Sequence, residues 1–338
     1  MKAAITDGKG NVWIEEVPLP EIGPYHCLCK TIACATCTGT DIKIIYGKLP
    51  WKENYPAILG HESIGKVIKT GQRVRYIKEG MNILRPTAVY PGERLGGYYS
   101  IWGGFAEYGL VMDTRAFLED HPGEETGYGK FQMEVPYEID PGDAIMLITL
   151  KETAGYVMDM GITLNDSVVV LGAGPVAMSM VLFSKLRGAY PLIVVARRDG
   201  PLENIKRFGA NYTINNAKED MVKRVMEITE GKGVRYIIDT AGDEGLFQKA
   251  FSMLAQDGKI SPYAVFSEDV FKKVDGTKIL QARTGEVPAH NYLLDLVRLG
   301  KVNLKDFYSH RMPFSEIEKG FEMIKKKEAF KIVFEMEG

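Results

Sequence analysis

This 338-residue sequence lacks the features of several protein classes. Its 42 Lys and Arg nearly balance its 44 Asp and Glu, so no basic excess favours nucleic acid or an anionic membrane. No apolar run approaches the ~18 residues that span a bilayer. The N-terminus also lacks the apolar core of a secretory signal. We therefore expect a cytoplasmic protein with neither a nucleic-acid nor a membrane partner.

Cysteine is absent after residue 37, and the four cysteines are Cys27, Cys29, Cys34 and Cys37. Such a cluster, with none in the rest of the chain, is not typical of a disulfide framework. In a reducing compartment it indicates metal binding, reactivity or burial. Cys27, Cys29 and Cys34 fall in a strand-like stretch, and we expect them to be small buried hydrophobic residues.

The chain is long enough for two domains, and its pattern changes near residue 150. Before that point, short β-branched and aromatic runs alternate with glycine-rich turns, which predicts a β-rich domain. After it, predicted strands and helices alternate strictly. That alternation is typical of a doubly wound parallel sheet.

A glycine-rich turn follows the apolar strand predicted at 167–171. Gly172, Gly174, Pro175 and Val176 lie where this strand gives way to a helix. Glycines at such a turn let backbone N–H groups approach a pyrophosphate at the helix N-terminus. We therefore predict a dinucleotide-binding site at these residues.

The next predicted strand, 192–196, ends in Arg197 and Arg198. A site for NAD has an acidic residue there to bind the ribose hydroxyls. Here the acid is missing, and a guanidinium pairs well with a phosphate through two parallel hydrogen bonds. The turn therefore favours NADP over NAD.

Cys37, His61 and Glu62 carry the side chains from which zinc sites are built. Zinc binds thiolate, imidazole and carboxylate, and a catalytic site keeps one position open. Asp41 can accept a hydrogen bond from the second imidazole nitrogen and fix its tautomer. Taken alone, this spacing does not separate a metal site from ordinary packing.

Together these segments resemble the zinc-containing medium-chain dehydrogenase/reductases, the superfamily of alcohol, sorbitol, threonine and glucose dehydrogenases. The matching segments occur in family order: Cys37 with Thr40-Asp41, Gly60-His61-Glu62, Gly103 to Tyr108, Gly172 to Pro175, Asp239 to Gly242, and Lys331-Ile332-Val333. The resemblance implies a GroES-like β-rich catalytic domain, residues 1–149 and 283–338, around a Rossmann domain, residues 150–282. It also implies cofactor contacts by Ala241, and a homodimer or homotetramer joined through the Rossmann sheet edge.

The chain departs from the family pattern in three places. The four cysteines of a structural zinc are missing around residues 80–110, so we expect one catalytic zinc and no structural one. Lys43 replaces a histidine of the proton relay, so the relay uses either Lys43 or bulk water, and Thr40 and Lys43 are the candidates for moving the proton. Which hydroxyl faces the substrate, that of Thr38 or that of Thr40, is left open. The usual third zinc ligand has no direct match, and Glu152 is favoured there ahead of Glu62.

These features predict a zinc-dependent oxidoreductase that transfers hydride between a secondary alcohol or ketone and NADP(H). Family members with a carboxylate ligand and no structural zinc favour polyols, sugars or sugar acids, and we expect such a substrate. Six polar and aromatic residues either line its pocket or belong to ordinary core and loops: Trp51, Glu93, Arg94, Tyr98, Tyr99 and Trp102. The alternatives are a zinc-free quinone or enoyl reductase of the same superfamily, and a non-catalytic NADP-binding regulatory protein.

Overall fold

The computed structural model describes residues 1–49 and 54–337, which divide into two units. Unit 1 combines Met1–Ile148 with Asn303–Gly338, and unit 2 is Thr149–Val302. Trp51 lies outside the described residues. None of the helices within the described ranges is both long and apolar enough to cross a bilayer.

Most strands belong to unit 1, whereas most helices belong to unit 2. The strands are β1 (Lys2–Thr6), β2 (Val12–Glu16), β3 (His26–Ala35), β4 (Ala57–Ile58), β5 (Ser63–Thr70), β6 (Asn82–Leu84), β7 (Arg94–Leu95), β8 (Tyr98–Ser100), β9 (Tyr108–Met112), β10 (Glu134–Val135), β11 (Val168–Leu171), β12 (Leu192–Ala196), β13 (Tyr212–Asn215), β14 (Val234–Asp239), β15 (Leu254–Pro262), β16 (His310–Pro313) and β17 (Ile332–Glu335). The α-helices are α1 (Thr38–Ile45), α2 (Thr114–Asp120), α3 (Pro141–Ala144), α4 (Met146–Asp159), α5 (Pro175–Leu186), α6 (Asp199–Ile205), α7 (Met221–Ile228), α8 (Glu244–Ala250), α9 (Glu268–Phe271), α10 (Glu286–Arg298) and α11 (Ile317–Lys326).

Unit 1 is β-rich, and both ends of the chain build it. One sheet has the order β2-β1-β4-β8-β7, and the other has the order β10-β6-β5-β3-β17-β16 with β9 also paired to β3. The closing strand β17 runs antiparallel to β3, with Phe334 opposite Cys34. Cys27, Cys29 and Cys34 are buried free thiols in β3, which confirms the prediction that they pack in the core.

Unit 2 contains a parallel sheet in the order β13-β12-β11-β14-β15. Its central strand β11 is buried at all four positions, as expected of a parallel strand covered on both faces. The strand order reverses between β11 and β14, and ligands of doubly wound sheets bind where it reverses, beyond the carboxyl ends of the strands. The predicted combination of a β-rich unit and a doubly wound sheet is therefore confirmed.

The second boundary between the units differs from the sequence-based one. The sequence placed it at 282/283, and the structure places it at 302/303. Residues between these positions pack within unit 2, since buried Lys151 of α4 lies 3.5 Å from the carboxylate of Glu286 at the start of α10. Contact there is close, because a Cβ added at Gly155 would lie 1.8 Å from the carbonyl oxygen of Thr284.

Candidate functional site

Three strand ends of unit 1 bring the predicted metal ligands and Lys331 together. Cys37 follows β3, His61 and Glu62 precede β5, and Lys331 precedes β17. The pairing of β3 with β5 places Cys34 opposite Ser63, and the Ala35 N–H donates to the carbonyl of Glu62 at 2.9 Å. Sequence positions far apart therefore converge on one point.

Cys37, His61 and Glu62 each direct one ligand atom into a common space. The Cys37 Sγ, one imidazole nitrogen of His61 and one carboxylate oxygen of Glu62 lie within 4.8 Å of one another. Across residues 1–49 and 54–337, they form the one group of three such side chains at this spacing. Thiolate, imidazole and carboxylate are a donor set that zinc accepts.

Asp41, the predicted hydrogen-bond partner of His61, lies next to this group. It is fully buried in the first turn of α1, and its Oδ2 accepts a hydrogen bond from the Cys37 N–H at 2.7 Å. Its Oδ1 lies 3.6 Å from Nδ1 of His61, so the two groups face each other. Burial raises the pKa of Asp41 to about 6, although the nearby His61 opposes the shift. Asp41 therefore holds the backbone of Cys37 and faces the imidazole of His61, and the predicted hydrogen bond between these two side chains would need a closer approach than 3.6 Å.

Lys331 is a member of the site that the sequence did not assign. Its ammonium forms a close ion pair with Oε2 of Glu62, and both residues are almost fully buried. Burial lowers the pKa of Lys331, but the negative charges of Glu62 and Cys37 outweigh it, and the pKa lies above its usual value. The available signal was a lysine at the start of an apolar closing strand, which does not reveal a partner 269 positions earlier (331 − 62).

The charges around Cys37 fit a divalent cation. Burial, followed by the charge of Glu62, raises the pKa of the Cys37 thiol to about 12. As a thiolate, Cys37 would join the carboxylates of Glu62 and Asp41 in outweighing the ammonium of Lys331. A bound cation would offset this excess and hold the thiol deprotonated.

The hydroxyls of the two threonines in this segment have different neighbours. The Thr40 hydroxyl lies near the sulfur of Cys37 and partly opposes the rise in the pKa of that thiol. The Thr38 hydroxyl instead donates to the carbonyl oxygen of Phe330 at 2.6 Å. Lys43 lies half-buried further along α1, and its role in proton transfer remains a prediction.

Glu152 lies on α4 in unit 2, where its carboxylate accepts a hydrogen bond from the Tyr263 hydroxyl at 3.2 Å. Its predicted role as the third zinc ligand stays a prediction. Unit 1 by itself brings Glu62, the other carboxylate considered from the sequence, to Cys37 and His61.

The predicted dinucleotide site lies at the carboxyl end of β11. Gly172 has a φ of +110°, which favours glycine, and a Cβ there would lie 2.5 Å from the Thr240 hydroxyl. Gly174 precedes α5 and has open space around its Cα, while Pro175 and Val176 begin the helix. The turn therefore leaves room for a pyrophosphate at the N-terminus of α5.

The two predicted phosphate-binding arginines follow β12. Arg197 is 71% exposed, and its Nη2 lies 3.4 Å from a carboxylate oxygen of Asp243. Arg198 is exposed and precedes α6. The next residue is an acid, Asp199, but its carboxylate accepts hydrogen bonds from Asn215 and Lys218, each at 2.6 Å. Both carboxylate oxygens of Asp199 therefore already accept hydrogen bonds from neighbouring side chains of the protein.

Ala241 follows the carboxyl end of β14, beyond the point where the strand order reverses. Its N–H and that of Gly242 donate to buried Asp239, each at 3.2 Å. Burial raises the pKa of Asp239 to about 6 in spite of these hydrogen bonds. The predicted cofactor residues after β11, β12 and β14 thus all lie at the carboxyl edge of one sheet.

Comparison with known proteins finds relatives along nearly the whole chain. The alcohol dehydrogenase GroES-like domain matches residues 23–119, and the zinc-binding dehydrogenase domain matches residues 175–284. L-threonine 3-dehydrogenase of Pyrococcus horikoshii is 30% identical over 337 residues, covering 94% of this chain and 93% of that protein. NADP-dependent isopropanol dehydrogenase of Thermoanaerobacter brockii is 28% identical over 346 residues, covering 93% of each. Benzyl alcohol dehydrogenase from Acinetobacter calcoaceticus has the same fold, with a TM-score of 0.80 over 99% of both chains at 22% identity.

Proposed function

Because the chain belongs to the zinc-containing medium-chain dehydrogenases, we propose that it oxidises a secondary alcohol with NADP through one zinc bound near Cys37. Membership makes the protein an oxidoreductase, and the zinc, the cofactor preference and the substrate class are the proposed parts. The observation that carries the proposal is the convergence of Cys37, His61 and Glu62 within 4.8 Å beside the Glu62–Lys331 ion pair.

Cys37, His61 and a carboxylate would hold the zinc. The sequence favoured Glu152 ahead of Glu62 as that carboxylate, whereas the geometry within unit 1 supports Glu62. A zinc ion there would supply Lewis-acid polarisation of the substrate oxygen. Asp41 would keep the imidazole of His61 oriented, and Lys331 would keep Glu62 charged and in place.

Thr40 is the hydroxyl best placed to receive the substrate proton. It lies near the sulfur of Cys37, whereas Thr38 is held by the backbone of Phe330. Thr40 would pass on its own hydroxyl proton as it accepts that of the substrate, and Lys43 on the same helix would take up this proton once its ammonium has released one to solvent. Of the two threonines, Thr40 is therefore the one that we propose to face the substrate.

Arg197 and Arg198 would bind the 2′-phosphate of NADP. Both are exposed at the end of β12, and the neighbouring Asp199 is held by Asn215 and Lys218. A phosphate is a stronger partner for Arg197 than Asp243 at 3.4 Å across an exposed surface. The relative from Thermoanaerobacter brockii, whose name states NADP dependence, also supports this preference.

Replacing Arg197 by alanine should lower kcat/KM for NADP by about ten- to a hundredfold and leave that for NAD nearly unchanged. The reason is the loss of charge-assisted hydrogen bonds, each worth about 1.5–3 kcal/mol. Steady-state kinetics with both cofactors measure the change. Arg224→Ala, which removes an exposed arginine paired with Glu227 on α7, is the matched control. An unchanged ratio of NADP to NAD efficiency in Arg197→Ala would refute the assignment.

The proposed substrate is a polyol, sugar or sugar acid that carries a secondary alcohol. Threonine and isopropanol, which appear in the names of the relatives, are also secondary alcohols. The test is a screen of polyols, sugars, sugar acids, 3-hydroxy amino acids and simple secondary alcohols with NADP and with NAD. We expect the highest kcat/KM from a polyol, sugar or sugar acid with NADP. Preference for threonine or isopropanol would overturn the substrate class, and no NADP reduction by any secondary alcohol would overturn the proposed function.

The proposed assembly is a homodimer or homotetramer. Strand β15 ends the sheet order of unit 2 and would be the edge that joins two copies. Light scattering of the purified protein gives the mass, and a monomer at micromolar concentration would refute this assembly.

A further inference from the structure

Trp102 contacts the proposed zinc ligand His61. The indole and imidazole ring centroids lie 5.1 Å apart, with the ring planes at 59°. Trp102 is partly buried, and it packs against the hydrophobic core that includes Phe105 and Phe334. The indole therefore packs against both the core and His61, and Trp102 as a whole keeps part of its surface accessible.

The backbone at Trp102 adopts a conformation that bulky residues rarely adopt. Its φ is +64°, in the left-handed region, and Gly103 follows with a φ of +60°. A side chain at Gly103 would be crowded, because its Cβ would lie 2.9 Å from the Thr87 hydroxyl. Such strain persists only where the surroundings enforce it, and it is concentrated at functional sites.

Hydrogen bonds at Trp102 and at the two residues after it hold this conformation. The Thr87 hydroxyl lies within hydrogen-bond distance of the carbonyls of both Trp102 and Val89, and the Ala88 N–H donates to the carbonyl of Gly103 at 2.8 Å. The Gly104 N–H donates at 2.7 Å to the carbonyl of Gly60, the residue before His61. The backbone segments that carry Trp102 and His61 are therefore hydrogen-bonded to each other.

We propose that Trp102 forms a rigid wall of the substrate pocket next to His61 and thereby limits the size of the group attached to the carbinol carbon. This inference rests on the proposed function, since it places the reacting alcohol at the zinc site. The flat apolar face of an indole suits the C–H face of a small hydroxylated substrate. Its bulk, held in place by the core packing and backbone of Trp102, takes up the space that a longer alkyl group would need. Trp102 is thus a specificity-determining residue rather than a ligand.

Substrate length is the first test. In a series from 2-propanol to 2-octanol, Trp102→Ala should raise kcat/KM for the long alcohols relative to 2-propanol by about tenfold or more, since one methylene in a pocket changes efficiency roughly 10–200-fold. Trp102→Phe should give an intermediate change. Trp13→Phe, on β2 with its indole bonded to Glu15, is the control and should keep the wild-type profile. An unchanged chain-length profile in Trp102→Ala that retains zinc would overturn the inference.

Fluorescence provides a readout that needs no turnover. The sequence has three tryptophans, so a Trp13→Phe, Trp51→Phe variant leaves Trp102 as the emitter. Cobalt(II) added to the metal-free variant should quench this emission and saturate near one equivalent, and His61→Ala in the same background should abolish the effect. If cobalt binds without quenching, the proposed position of Trp102 is wrong and the proposed metal site is unaffected. A failure of cobalt to bind would overturn the proposed zinc site, and this inference with it.

Discussion

Cys37→Ala and His61→Ala, each made alone, are expected to lose bound zinc and to lower kcat/KM for alcohol oxidation by about a thousandfold or more. The metal provides several kcal/mol of charge stabilisation to the reacting oxygen, and each factor of ten in rate corresponds to about 1.4 kcal/mol. Either change removes one of the three donor atoms that lie within 4.8 Å of one another. Zinc content and steady-state kinetics on the same preparations measure both effects.

Cys34→Ala is the matched control for Cys37→Ala. Cys34 lies three positions earlier, is fully buried in β3, and pairs opposite Phe334 and Ser63 in the sheet. It should reduce stability through lost packing yet keep zinc and activity per folded molecule. Cys37→Ala protein that keeps full zinc and full activity would contradict the proposed mechanism.

Lys331→Met is expected to reduce the free energy of unfolding of the zinc-free protein by about 3–5 kcal/mol. Removal of Lys331 takes away the buried ammonium that offsets the buried carboxylate of Glu62. The double variant Lys331→Met, Glu62→Gln should recover much of this loss, because the carboxylate charge that Lys331 offset is then gone. Urea unfolding of chelator-treated protein measures these differences without a contribution from bound metal.

The same substitution at an exposed pair is the control for Lys331→Met. Lys319 pairs with Glu316 at 2.6 Å, with both side chains largely exposed, so Lys319→Met should cost less than about 1 kcal/mol. Equal losses at Lys319 and Lys331 would show that the Glu62 ion pair has no special role in the site.

Local patterns in the sequence predicted the parallel strands and the glycine turn well. Strand β12 has the predicted bounds 192–196, because a buried apolar run ends there at polar arginines. The sequence pattern at 245–255 predicts one helix, and it predicts no strand where β15 lies. The structure ends α8 at Ala250, inserts a short 3-10 turn, and pairs β15 with β14 from Leu254 onward. That pairing is a long-range contact which no short window of sequence reports.

The parts that sequence reasoning could not reach depend on contacts between distant residues. The pattern of α10 predicts an amphipathic helix, but it does not state which unit the apolar face covers, and the contact of Lys151 with Glu286 decides that. In the same way, Lys331 reaches Glu62 only because β17 pairs with β3 and β3 pairs with β5. Residue type and motif were enough to identify the candidate ligands. Lys331, whose ammonium offsets part of their negative charge, could be assigned only from the fold.

Zinc content of the purified protein tests the central claim most directly. The protein is expressed with zinc available, dialysed against metal-free buffer, and measured by mass spectrometry of the metal alongside an accurate protein concentration. We expect close to one zinc per chain, and we expect His61→Ala to lose it. A value near two would contradict the expected absence of a structural zinc, and an active protein with no zinc would contradict the proposed mechanism itself.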